Sequence, residues 1–224
     1  MSPVDIRVFD TAAEAEEAAA AELAESARSG SHIALSGGSV ARSFARAAEL
    51  APDWSGAELW WSDERCVPED DPRSNYRLAR ENLLDRLAGP PRAAHRVRGE
   101  LAPDEAAALY DDEVDGVRLG LALQGIGPDG HTASLFPDDA VLDERTRRAV
   151  PVHRADVDRV TLTIPVLCAA ETVLFLALGE SKADAIRRVF AEPPSPRAPA
   201  SLVRSEHGRT VALLDRDAAA RLPA

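Results

Sequence analysis

Short apolar runs alternate with longer amphipathic stretches along almost the whole chain, and this alternation restricts the fold more than any other feature. Val4–Phe9, Ser31–Leu35, Glu58–Ser62, Leu119–Leu123, Val160–Thr163, Thr172–Leu178 and Val211–Leu214 have the length and apolar character of strands. Helices are expected over Thr11–Arg28, Val40–Leu50, Tyr76–Leu87, Pro103–Val114 and Ser181–Phe190. Two short ones are expected between Thr163 and Thr172 and from Asp215 onward. Thr11-Ala-Ala-Glu14 has capping-box spacing, Gly30 is a helix stop, and Ser74-Asn75 can cap the helix that follows them. Strands and helices in alternation imply an α/β protein with a mostly parallel sheet covered on both faces. No internal repeat or linker divides residues 1–224, so one domain, an α/β/α sandwich, is expected. The proline-rich stretch Glu192–Pro199 reads as a surface loop.

The segment Gly125-Ile-Gly-Pro-Asp-Gly-His-Thr-Ala-Ser-Leu-Phe136 follows one of these strands. Its three glycines exclude a helix or strand interior, and Pro128 removes a backbone donor. Asp129 and His131 stand two residues apart directly after the turn. In open α/β sheets ligands bind at the carboxyl ends of strands. A titratable pair on irregular backbone at such a place reads as a catalytic loop. Gly125, Gly127 and Gly130 also spell G-x-G-x-x-G, but dinucleotide binding is rejected. That fingerprint needs a long helix from the third glycine, and Pro137 stops any helix within about two turns.

Further chemistry gathers at other strand ends. Leu35-Ser-Gly-Gly-Ser39 can cradle an anion on its backbone N–H groups at the start of a helix. It lacks the lysine of a P-loop, and Ala41 removes the second glycine of a serine nucleophile elbow. Trp61-Ser-Asp-Glu-Arg65 places Asp63 beside Arg65, whose planar fork suits phosphate or carboxylate. Pro68–Asn75 reads as an ordered loop that can line one wall of a pocket. Arg159 begins a strand, and Lys182 stands at the start of a helix as a point charge for a phosphate. His32, His95, His153 and His207 read as structural or surface residues.

Composition narrows the partners. The formal net charge is -12, from 38 acidic and 26 basic residues, which argues against nucleic acid or an anionic membrane as partner. An anionic substrate therefore needs a local cationic pocket. Cys66 and Cys168 form neither a disulfide framework nor a metal-binding spacing and read as reduced cytosolic thiols. The N-terminus shows no apolar signal-peptide core, and Val173–Leu178 is far too short to span a bilayer, so a cytoplasmic protein is expected.

These segments together resemble the 6-phosphogluconolactonases, within the glucosamine-6-phosphate isomerase/deaminase superfamily. The matching pieces are Ser36-Gly-Gly-Ser39, Ser62-Asp-Glu-Arg-Cys-Val-Pro68 with Ser74-Asn75, and Gly127-Pro-Asp-Gly-His-Thr-Ala-Ser-Leu-Phe-Pro137. Arg159-Val-Thr-Leu-Thr163, Gly179-Glu-Ser-Lys-Ala183, Pro199-Ala-Ser-Leu-Val203 and Asp215 follow in family order. Three positions depart from the pattern. Val40-Ala41 replace a frequent proline, Cys168 stands where asparagine is common, and the last strand lacks its usual tryptophan.

The resemblance implies a Rossmann-like fold of the sugar-phosphate isomerase/deaminase type and hydrolysis of 6-phosphogluconolactone to 6-phosphogluconate in the oxidative pentose phosphate pathway. His131 would be the general base, since an imidazole ordinarily titrates near neutrality. Asp129 or Asp63 would orient it, and glycine-loop donors would stabilise the oxyanion. The amides of Ser36, Gly37, Gly38 and Ser39, with Arg65, Lys182 and Arg159, would bind the phosphate. No metal or cofactor is expected, because a lactone is already an activated ester. The expected partner is a small sugar phosphate, and the expected state a monomer, with a dimer as alternative. Two rivals are a glucosamine-6-phosphate deaminase or sugar-phosphate isomerase and a non-catalytic sugar-phosphate-binding regulator. The deaminase pattern Ile-Ala-Phe-Asn-Glu-Pro after Gly-His is replaced here by Thr-Ala-Ser-Leu-Phe-Pro. Retention of Asp129 and His131 argues against the regulator.

Overall fold

Seven parallel strands form the centre of the molecule, described over residues 3–223 by a computed structural model. In chain order the elements are β1 (Val4–Phe9), α1 (Ala12–Arg28), β2 (His32–Leu35), α2 (Phe44–Leu50), β3 (Glu58–Trp61), β4 (Asp63–Arg65), α3 (Asn75–Asn82) and β5 (Ala93–His95). They continue with α4 (Pro103–Glu113), β6 (Leu121–Gln124), β7 (Ala149–Val152), β8 (Arg159–Leu162), α5 (Ile164–Cys168), β9 (Thr172–Ala177), α6 (Ala183–Phe190), β10 (Arg209–Asp215) and α7 (Arg216–Ala219). The main sheet has the order β1-β10-β9-β6-β2-β3-β5, every pair parallel. A small antiparallel sheet, β4-β8-β7, stands beside it.

Period-2 alternation sorts the strand side chains into two buried layers. Ile33, Leu35, Leu59, Trp61, Leu121, Leu123, Leu174, Leu176, Val211 and Leu213 pack with the small residues of α1 and α2 on one face. Ala34, Trp60, Ala122, Val173, Phe175, Ala212 and Leu214 face the other layer, which contains α4, α6 and the small sheet. Helix α1 lies close to the strands because alanines 15, 19, 20, 24 and 27 dominate its buried face. Its start is the expected capping box. Glu14 N–H donates to Thr11 Oγ1 at 3.3 Å, and Thr11 N–H donates to Glu14 Oε2 at 3.0 Å. Gly30, at φ +71°, lets the chain leave the helix.

Three expectations need correction. Val160–Thr163 does form a strand, but β8 pairs antiparallel with β4 and β7, outside the main sheet. The helix expected over Val40–Leu50 begins as a 3-10 segment, Gly38–Ser43, and becomes α-helical only at Phe44. The helix expected over Tyr76–Leu87 ends at Asn82, followed by a 3-10 turn at Leu84–Arg86. Strands β4, β5 and β7 were not expected at all. Two of them have three residues, and β7 contains Pro151, so none carries a readable period.

The strand order decides where the site lies. From β2 the chain moves through β3 towards β5, whereas β6 lies on the opposite side of β2 and leads towards β9. The carboxyl ends of β2 and β6 therefore flank a topological switch point, where open α/β sheets leave a crevice. Ser36-Gly-Gly-Ser39 leaves β2 there, and Gly125–Phe136 leaves β6 there.

Candidate active site

The crevice holds a cleft of about 170 Å³. Its floor and walls include Ser36, Gly37, Gly38 and Ser39 from the first turn, and Gly127 and His131 from the second. Asp63, Arg65, Asn75 and Lys182 complete it from β4, α3 and the approach to α6. The two turns are cross-tied at their roots. Ser36 Oγ donates to the Leu123 carbonyl at 2.8 Å. Gln124, fully buried at the end of β6, donates from Nε2 to Ser62 Oγ at 2.7 Å and accepts from Thr132 Oγ1 at 2.9 Å. These bonds fix the ends of β2, β3 and β6 against one another.

The second turn folds back upon itself. Gly127 N–H donates to the His131 carbonyl at 2.8 Å, and Gly130 N–H donates to the Gly127 carbonyl at 2.9 Å. Gly130 has φ +95°, a conformation that favours glycine. Gly127 is required by space. A Cβ there would lie 2.1 Å from His131 Cε1 and Nδ1 and 2.7 Å from Asp129 Oδ1. The imidazole thus lies over the glycine backbone, with Phe136 against its ring at a centroid distance of 4.9 Å. Ala133, at φ +48°, carries backbone strain into the cleft wall.

Asp129 Oδ1 stands 2.6 Å from His131 Nδ1 and also accepts the His131 N–H at 3.1 Å. An ionised carboxylate only accepts, so the Nδ1 proton belongs to the imidazole, and Nε2 is the free base nitrogen. Nε2 has no hydrogen-bond partner among the described residues. Burial alone would raise the Asp129 pKa, but the His131 backbone N–H and ring outweigh it and hold the carboxyl below its usual range.

Asp63 lines the same cleft without touching the imidazole. Its Oδ2 accepts from Ser134 Oγ at 2.6 Å and its Oδ1 from Asn75 Nδ2 at 3.2 Å. Of the two acids expected to orient His131, Asp129 makes the contact. Lys182 is half-buried, and burial pulls its ammonium pKa down, partly offset by the negative charge of Asp129. Arg65 donates from Nη1 to the Arg73 carbonyl and reaches the cleft. Arg159 pairs with Arg65 in the β4–β8 ladder but does not line the cleft. Its guanidinium binds Asp156 at 2.8 Å and the Val157 carbonyl at 2.6 Å, 5.5 Å from the centre of the Phe136 ring. The Pro68–Asn75 loop meets the cleft only at its end, through Asn75.

Sequence reasoning passed over two residues. Asn75 is legible as a helix cap and as the end of a loop that can line a pocket wall, but not in the place the fold gives its carboxamide, between Asp63 and Gly37. Glu64 was read as part of a charged strand end, yet it is 2% exposed. Burial raises its carboxyl pKa, opposed by N–H bonds from Asn75, Tyr76 and Arg65. No local signal marks its burial, because the alternation that sends its side chain away from Asp63 and Arg65 exists only once β4 has paired with β8.

The glucosamine-6-phosphate isomerase/6-phosphogluconolactonase family model matches residues 7–212. The 6-phosphogluconolactonase of Homo sapiens is 39% identical over 206 residues, covering 85% of this chain and 80% of its own. That of Streptomyces coelicolor is 34% identical over 236 residues, covering 92% of this chain and 90% of its own. The solved 6-phosphogluconolactonase of Trypanosoma cruzi superposes with a TM-score of 0.85 at 25% identity, covering 100% of this chain and 99% of that one. The strand-end motifs, the crevice they build and these likenesses agree, and the chain belongs to the glucosamine-6-phosphate isomerase/6-phosphogluconolactonase family.

Proposed function

We propose that the protein hydrolyses 6-phospho-D-glucono-1,5-lactone to 6-phospho-D-gluconate, the ring-opening step of the oxidative pentose phosphate pathway. The observation that carries this reading is the Asp129–His131 pair, with a free Nε2, in a cleft that also presents Arg65, Lys182 and a glycine turn. In the proposed cycle, Nε2 takes a proton from water as the water oxygen attacks the lactone carbonyl. Asp129 holds the ring through Nδ1 and stabilises the imidazolium. Backbone N–H groups of the glycine turns offset the charge on the tetrahedral oxyanion. The intermediate collapses, the C1–ring-oxygen bond breaks, and Nε2–H returns its proton to the departing oxygen. The product is the open hydroxy acid, which ionises at neutral pH.

The phosphate is assigned to the Ser36–Ser39 amides, Arg65 and Lys182, a cationic pocket in a protein of net charge -12. Asp63, bonded to Ser134 and Asn75, is assigned to shaping the cleft wall. Arg159 is placed behind Phe136, as a brace for the aromatic wall. The reaction needs no cofactor. Residues 1–224 are read as one catalytic domain, working as a monomer on a diffusing substrate. The free thiols of Cys66 and Cys168 suit the cytoplasm.

The test is a substrate panel: 6-phosphogluconolactone generated in situ, unphosphorylated gluconolactone and glucosamine-6-phosphate, each against a no-enzyme blank. Rapid opening of the phosphorylated lactone, slow opening of the unphosphorylated one and no ammonia release are expected. Ammonia from glucosamine-6-phosphate would replace the reading with a deaminase. Binding without turnover of any of the three would replace it with a regulator.

A further inference from the structure

The proposed cycle gives no task to the buried carboxylate of Glu64. Glu64 lies between two cleft-lining residues, Asp63 and Arg65, with its own side chain on the opposite side of β4. Its Oε1 accepts the N–H groups of Arg65 and Asn75, both at 2.7 Å. Its Oε2 accepts the Tyr76 N–H at 2.7 Å and the Ser74 hydroxyl at 3.1 Å. Ser74 Oγ in turn accepts the Arg77 N–H at 3.1 Å. The opening N–H groups of α3 are thus shared between two acceptors: Ser74 takes that of Arg77 locally, and Glu64, from another element, takes those of Asn75 and Tyr76. A local cap holds a helix start to itself. A carboxylate from β4 holds it to the active-site strand.

Asn75, the first residue of α3, carries that attachment into the cleft. Its Nδ2 donates to the Asp63 carbonyl at 2.9 Å and to Asp63 Oδ1 at 3.2 Å. Both acceptors are oxygens, so the orientation of the carboxamide is determined. Its Oδ1 is buried, has no hydrogen-bond partner among the described residues, and lies 1.9 Å from the position a Cβ on Gly37 would occupy. Asn75 is therefore wedged between the Asp63 backbone and the glycine turn assigned to phosphate.

We propose that Glu64 is a positioning residue: through the start of α3 and the Asn75 wedge it sets the separation between Asp63 and the Gly37 turn, and so the shape of the anion cradle. It touches no substrate. The kinetic readout rests on the lactonase reading, whereas the binding readout does not.

The experiment compares wild type with Glu64→Gln, Asn75→Ala, the double variant and Arg77→Ala. KM and kcat are measured for 6-phosphogluconolactone well below each Tm. The Kd for 6-phosphogluconate and for inorganic phosphate is measured by calorimetry. Glu64→Gln and Asn75→Ala should each raise KM and both Kd values by roughly 10- to 100-fold, the scale of an ångström misplacement. The double variant should be little worse than either single one, because both act on one linkage. Arg77→Ala removes an ion pair with Glu81 on the same helix at 2.7 Å and a bond to the Asp70 carbonyl in the loop before it. It should lower Tm and leave KM and Kd unchanged.

A Glu64→Gln protein with lowered Tm but unaltered KM and Kd would reduce the carboxylate to a fold brace and overturn the proposal. So would multiplicative losses in the double variant. If Glu64→Gln does not fold, Asn75→Ala decides alone, and unaltered KM and Kd there overturn the proposal. Wild type without turnover would end the lactonase reading, and the Kd series would still decide the linkage. Wild type that binds neither anion would end both.

Discussion

Gly127 and Asp129 show how little freedom the imidazole has. Gly127→Ala would put a methyl group 2.1 Å from the His131 ring. The ring is a side chain and can move, so the protein should still fold with its base displaced. We expect kcat to fall by roughly 10²-fold with a near-native Tm, measured by lactone turnover and thermal unfolding. Asp129 acts on the same ring by charge. Asp129→Asn should lower kcat/KM, because the ring loses the carboxylate that orients it through Nδ1. Stability carries an independent sign. The Asp129 carboxyl is held below its ordinary value, so its contribution is complete above about pH 4 and is lost as pH falls through the folded value. Wild type should therefore lose more stability than Asp129→Asn between pH 5 and the acid range, read from denaturant midpoints. The juxtaposition of these residues was legible in the sequence, because a Gly-x-Asp-Gly-His turn after an apolar strand puts the acid and the imidazole two residues apart on a tight bend. The choice between Asp129 and Asp63 was not, since it depends on which carboxylate reaches Nδ1 across a turn only the fold closes.

Elements divide in legibility by length and by the origin of their hydrogen bonds. Helix α1 was readable to within a residue, because its cap, its acidic first turn and its glycine stop are local. Removing that cap should have a local price: Thr11→Ala should cost about 1 kcal/mol of unfolding free energy, with no change in kcat. Strand β4 was invisible for the converse reason. It has three residues and takes its partners from β8, almost a hundred positions away, as Asp63↔Thr161 and Arg65↔Arg159. Yet β4 aims Asp63 and Arg65 at the cleft and Glu64 away from it. Part of the site's geometry therefore arises from long-range antiparallel pairing, which no local pattern encodes. The phosphate role expected of Arg159 came from the family resemblance, not from any pattern around it. In the fold, Asp156 and the Val157 carbonyl already bind that guanidinium.

Across the whole molecule, a protein of net charge -12 must attract an anion to one crevice. The parallel sheet supplies the place, because β2 and β6 meet at the switch point and both release glycine-rich turns there. The cationic groups come from distant parts of the chain, Arg65 from β4 and Lys182 from the approach to α6. If each binds phosphate equally in ground and transition states, Arg65→Gln and Lys182→Gln should raise KM with kcat nearly unchanged. Steady-state kinetics on the phosphorylated lactone checks this, and the unphosphorylated lactone should show no change in kcat/KM. A fall in kcat alone would place the cation at the reacting carbonyl instead. The doubly covered sheet was legible from strand–helix alternation, and its order was not, because the crossovers that set it leave no mark within any one segment.

The most direct test is turnover of in situ 6-phosphogluconolactone by wild type and His131→Ala, each corrected for spontaneous hydrolysis. Rapid wild-type turnover and a fall in kcat of roughly 10²–10⁴-fold in the variant, the usual worth of one acid–base group, are expected. Equal turnover by the two proteins would contradict the assignment of His131 as the base.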